Sequence, residues 1–161
     1  KIIRRSIEIL SKFMSVNTYE LYHGAAINRI IDFGKDFRIM KFPSDTNSSY
    51  TINQQIGLYI KYSEKRISPW RFNFNKSHQE ELLHMKQLHK KVFIIFVCYE
   101  DGFTCLSWPE LKKLLDDNLE DGEWVHIKRM RKEKYTVTGS DGKLKYKIGK
   151  NEFPEKITKN L

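Results

Sequence analysis

The run Val92-Phe93-Ile94-Ile95-Phe96-Val97 constrains this chain more than any other segment. Its six apolar residues leave no polar face and are too few for an ordinary helix, so the run reads as a strand buried on both sides at the centre of a sheet. Such a strand needs a cover over each face, and the flanking sequence supplies helices for it. Leu21 to Ile31 follows an Asn17/Glu20 pair at capping-box spacing, with Gly24, Ala25 and Ala26 small enough for close packing on the sheet. Leu82, Met85 and Leu88 follow a second such pair, Ser77/Glu80, while Ile2, Ile3, Ile7, Leu10, Phe13 and Met14 repeat near the helical period in an opening helix. Ser107-Trp108-Pro109-Glu110 caps a short helix ending near Asp117.

Strand signals fill the remainder. Within Ile56 to Ser63, Lys61 shares a face with Tyr59 and Ser63, while Leu58, Ile60 and Tyr62 point the other way. Trp70, Phe72 and Phe74 alternate with Arg71, Asn73 and Asn75 in a half-buried strand; Phe37 to Phe42 reads as a strand, and Tyr50 to Tyr62 as one long strand or a hairpin bent near Asn53 to Gly57. With Asp101-Gly102 as a two-residue turn, Cys98 falls opposite Cys105 at about 5.5 Å between Cα atoms. Cytosolic chemistry favours thiols, so two buried, reduced cysteines are expected. With Asp141-Gly142 as a turn, Tyr135, Val137, Leu144, Tyr146 and Ile148 occupy one face, and Lys134, Thr136, Thr138, Lys143, Lys145 and Lys147 the other. The expected class is α+β: a mixed central sheet flanked by helices, with a C-terminal basic β-hairpin. Residues 1–122 form the core with its N-terminal helix and residues 123–161 a basic hairpin subdomain, together one compact domain.

The formal charge of +9 over 161 residues is unevenly spread. From Trp124 onward eleven Lys/Arg oppose four Asp/Glu, a balance of +7 that points to a polyanionic partner. No apolar run approaches the ~20 residues of a membrane span, and Ser6 to Met14 carries Glu8 and Lys12 without a small-residue cleavage site, so a cytoplasmic protein with no membrane partner is expected. The first residue is not Met, which suggests a trimmed chain or a fragment.

A lysine projecting from an interior strand, preceded by helix, strand and strand and followed by helix and strand over about residues 18–98, resembles the core of the restriction-endonuclease-like superfamily, the PD-(D/E)XK nucleases. Tyr59-Ile60-Lys61 falls on the E-x-K positions, Asp45 or Asp36 on the upstream aspartate and Glu20 on the helix glutamate. The resemblance implies a magnesium-dependent nuclease ancestry, but two carboxylates supply the hard oxygens that hold magnesium, and a phenol stands where one belongs unless another acid such as Glu64 migrates in. A degenerate active site is the simpler expectation, with no cofactor and no catalysis.

The first functional reading is therefore a nucleic-acid-binding module that contacts the phosphate backbone of DNA or RNA through Lys61, Lys65, Arg66, Arg71, Lys128, Arg129, Arg131, Lys143, Lys145 and Lys147. The second keeps the fold as an active magnesium-dependent endonuclease with Asp45 and Lys61 catalytic. The third is a protein-interaction domain of a defence or mobile-element system. Competing structural roles are a core Trp70, a Lys61 snorkelling from a sheet edge, and lysines that merely protect an outer strand. His78, His84 and His89 lack metal-ligand spacing and suit the surface, and His23-Gly24 reads as a solvated histidine beside a packing glycine.

Overall fold

The structure is a computed structural model that describes Ile3, Arg4, Ser6, residues 15–33 and residues 35–161. Its first sheet contains β1 (Ile39–Lys41), β2 (Ser49–Ile52), β3 (Ile56–Ser63), β5 (Lys91–Cys98) and β6 (Gly102–Ser107), in that spatial order. β1, β2 and β3 form an antiparallel meander, β3 and β5 run parallel through eight paired residues, and β6 returns antiparallel. The chain crosses between the parallel pair through β4 (Trp70–Phe74) and helix α2 (Lys76–Leu88). The sheet is thus mixed, and β5 is buried on both faces, as its unbroken apolar run requires.

Strand periodicity divides the core into two layers. Leu58, Ile60, Ile95, Val97 and Cys105 pack with Ala26 and Ile30 of α1 (Thr18–Asp32) and with Phe153 and Ile157 near the C-terminal helix. Tyr59, Ile94, Phe96 and Cys98 face the opposite way, toward a second sheet. That sheet has the order β4-β7-β8-β9, where β7 is Glu123–Lys128, β8 Thr136–Gly139 and β9 Gly142–Lys143. It is antiparallel throughout, and Trp70, Phe72, Phe74, Val125, Ile127 and Val137 turn inward. Trp70 is a core residue, edge-on to Tyr135 and donating its indole N–H to the Lys65 carbonyl at 2.8 Å.

Several local expectations change. The loop after β5 spans Tyr99 to Asp101, with Tyr99 at positive φ, so Cys98 pairs with Gly102 and Cys105 with Ile95. The two thiols therefore lie on opposite faces of the sheet, free and buried, each pushed up to about 12 by burial. α2 is capped by Asn75, whose side chain accepts from the His78 N–H while the His78 ring accepts from the Asn75 N–H; Ser77 lies within the helix. At α1, Asn17 donates to Glu20 and makes no cap bond to backbone. His23 is buried, 3% exposed, and shares a hydrogen bond with the Tyr50 hydroxyl, whereas Gly24 faces open space. His89 is also buried, between the Met85 carbonyl and Thr51. The Ser107/Glu110 capping box forms as its spacing predicts and opens α3 (Trp108–Lys112). The expected opening helix over Ile2 to Met14 lies almost wholly outside the described residues.

The C-terminal hairpin turns one residue earlier than expected, at Ser140-Asp141, with Gly139 opposite Gly142. A side chain on either glycine would meet the Leu114 or Lys113 carbonyl, and the Asp141 N–H donates to Leu114 O at 2.9 Å, so the turn is seated on the segment after α3. Beyond Lys143 the ladder breaks, resuming only as the single Tyr135–Ile148 bridge. The expected straight row of Lys143, Lys145 and Lys147 is consequently absent. Lys145 sits in a bend, and Lys147 is ion-paired to Glu133 at 3.1 Å.

Candidate nucleic-acid interface

Lys61 extends from β3 on the Tyr59 side, where the N-terminal part of α2 crosses the sheet. Its ammonium lies 4.6 Å from the Phe74 ring centroid and 5.8 Å from that of Tyr59, and it donates to His78 Nδ1 at 3.4 Å. Because that nitrogen also accepts from Asn75 N–H, the neutral His78 ring carries its proton on Nε2. Burial, reinforced by the Lys61 charge, lowers the His78 pKa. Burial pulls Lys61 down to about 8, against the opposing attraction of Glu81. Lys61 also borders a cleft of roughly 200 Å³ with Tyr19, His23, Asn47, Ser48 and Tyr62.

Glu81 of α2 is the carboxylate whose charge acts on Lys61. Both its oxygens accept from Thr46 Oγ1 at 2.9 Å, and one also accepts from Ser49 at 2.9 Å. Asp45 and Asp36 are exposed without a hydrogen bond or ion pair among the described residues, Glu64 is exposed, and Glu20 is bonded to Asn17. The register places Ser49 beside Tyr59, so two hydroxyl side chains occupy that end of β2 and β3. Tyr59 is fully buried, its hydroxyl makes no hydrogen bond of good geometry among the described residues, and burial pushes its pKa upward. These groups do not fit magnesium: the single carboxylate already accepts from two hydroxyls, and its companions are an ammonium and a neutral phenol.

Arg71, Lys128 and Lys143 face outward from the second sheet. Side chains of Arg71, His126, Thr138 and Lys143 form a row across four paired strands, spanning about 14 Å at ordinary strand spacing. The Arg71 guanidinium lies 5.0 Å from the Trp124 ring centroid and is oriented by a bond from Nε to Asn73 Oδ1 at 3.2 Å. Trp124 meets His126 edge to face at 6.4 Å, and Lys128 lies two residues beyond on the same face. Lys65 donates to the Pro69 carbonyl at 2.8 Å beside this surface. Burial and the positive field of Arg71, Lys65 and Lys128 lower the His126 pKa. None of Lys65, Arg71, Lys128 and Lys143 is ion-paired among the described residues.

Arg66, Lys128, Arg129 and Arg131 converge on a notch at one end of this sheet. Arg129 is held internally: its guanidinium grips Asp101 at 2.6 and 2.8 Å, and Tyr135 donates to the same carboxylate at 2.7 Å. Sequence reasoning missed Glu81, Trp124 and His126. The alternation Trp124, His126, Lys128 against Val125 and Ile127 carried the signal for the last two; Glu81 had none, since only the helix crossing brings it to Lys61. A separate acidic group, Asp116, Glu123 and Asp141, gathers near the Ser140 turn with ligand atoms within 4.8 Å of one another. Burial and its two neighbours push Glu123 up to about 8.

No helix among the described residues is long and apolar enough to cross a membrane. Compared with protein-family models, curated proteins and solved structures, the chain matches none.

Proposed function

We propose that this chain is a nucleic-acid-binding module that contacts the phosphate backbone through the outer face of its second sheet. One observation carries the reading: Lys65, Arg71, Lys128 and Lys143 lie without acidic partners among the described residues, around the half-buried Trp124 and His126 rings. Cations along a sheet track phosphates, and aromatic faces accept bases regardless of sequence, so the expected binding is strong in salt dependence and slight in specificity. Kinship with the restriction-endonuclease-like core is part of the proposal. It is supported by the order α1, β1, β2, β3, β4, α2, β5, in which β4 leaves for the second sheet, by the parallel β3–β5 pair, and by a lysine on β3 within reach of a helix carboxylate's charge. The donor set around Lys61 favours a core without nuclease activity.

Fluorescence anisotropy with labelled oligonucleotides tests the reading. Engagement of about four phosphates gives a slope near −3.6 in log affinity against log salt on duplex DNA. Salt-insensitive binding, or affinity unchanged by Arg71→Glu with Lys128→Glu, would overturn it. Magnesium-dependent plasmid cleavage abolished by Lys61→Ala would instead restore the nuclease reading.

A further inference from the structure

The notch at the end of the second sheet joins charge to exposed apolar bulk. Two loops meet there, one leading into β4 and one leaving β7, and each carries a large hydrophobic side chain beside an arginine: Arg66-Ile67 and Met130-Arg131. Ile67 is 72% exposed and Met130 59%. The loops are fastened together, because the Arg129 N–H donates to Ser68 Oγ at 3.0 Å; Ile67 and Met130 are the immediate chain neighbours of that bonded pair. Arg129 braces the second loop through Asp101 and by donating to the Met130 and Glu133 carbonyls at 3.2 and 3.4 Å. A turn closed by Glu133 N–H on Met130 O, with Lys132 at positive φ, completes it. The apolar tips are therefore presented on a fixed support. Arg66, Lys128 and Arg131 around them have no ion-pair partner among the described residues.

We infer that Ile67 and Met130 form a wedge that enters a base step of duplex DNA while Arg66, Lys128 and Arg131 hold the flanking phosphates. The inference rests on the backbone-binding reading above and assigns it a duplex partner and a deformation. Isoleucine and methionine are among the side chains that unstack a step and kink the helix, and surrounding cations offset the strain by drawing the bent backbone onto the protein. Charge complementarity favours this occupant: the notch is cationic and shares Lys128 with the sheet face that carries the proposed phosphate track.

A duplex labelled at both ends for energy transfer, with 2-aminopurine within it, reads bend and unstacking separately from affinity. Wild-type protein is expected to shorten the end-to-end distance and raise 2-aminopurine emission. Ile67→Ser with Met130→Ser should abolish both while changing affinity by no more than about tenfold, since the phosphate contacts remain. Met130→Leu, which keeps the apolar bulk, should retain both signals. Both substituted positions are exposed, and an unchanged urea midpoint verifies the fold. Failure of the wild type to bind any nucleic acid overturns the wedge together with the reading beneath it. Binding without bend or unstacking, or signals that survive the double substitution, overturns the wedge alone. Capture of wild type but not the double variant by phosphatidylserine vesicles, with no DNA bend, also overturns it in favour of a membrane contact.

Discussion

Lys61 and Arg71 are both cations on strands, yet the two sheets treat them in opposite ways. Lys61 is half-buried against Phe74, Tyr59 and His78, and burial lowers it to about 8. Arg71 lies over Trp124 on an open face, with Lys65 and Lys128 reinforcing the same field. A polyanion needs permanent charge that it can reach. If the proposed backbone contact holds, the solvation of a cation is a better guide to phosphate binding than a lysine's place in a family-like motif.

The largest expected test of this contrast is Glu81→Ala. It strands the Thr46 and Ser49 hydroxyls and removes the charge opposing Lys61, so unfolding stability should fall by about 2–3 kcal/mol with little change in nucleic-acid affinity. A urea midpoint that does not move would show the interior cluster to be idle. Arg71→Glu with Lys128→Glu should do the reverse, weakening binding by roughly 10- to 100-fold while stability stays within about 0.5 kcal/mol. Anisotropy titrations and urea melts on the same protein separate the two effects.

Titration sharpens the contrast further. Lys61 is lowered from 10.5 to about 8 in the folded state, so between those values the unfolded chain binds more protons and this group's contribution makes stability rise with pH. Lys61→Met should remove that rise from melting curves recorded between pH 8 and 10.5. Glu123 is raised from 4.5 to about 8, so its contribution is complete below 4.5 and declines as pH climbs through 8; Glu123→Gln should flatten the decline. The smallest effect is expected at Lys147, whose Glu133 partner already neutralises it: Lys147→Ala should change affinity less than about twofold. A larger loss would extend the phosphate track beyond the second sheet.

Local pattern was legible in the sequence where the period and the burial of one strand determined the outcome. The alternations of 56–63 and 70–74, the doubly buried β5 and the Ser107 cap all form as their residues predict. Pairing between distant segments was not. Nothing in Trp70 to Phe74 states that it leaves the first sheet to pair with Glu123 to Lys128, because each strand offers the same backbone donors to any neighbour. That long-range pairing sets Arg71 against His126 and assembles the outer face. The shifted C-terminal turn has a similar cause: Asp141-Gly142 is a good local turn sequence, but close approach to Lys113 and Leu114 requires glycine on both sides of Ser140-Asp141.

The two cysteines have a practical consequence. Both sulfurs are enclosed in the core, on opposite sides of one sheet, with almost no thiolate at neutral pH. Maleimide dyes will therefore pass over the native thiols, and a single cysteine engineered at an exposed tip can be labelled selectively without first stripping the protein of its own.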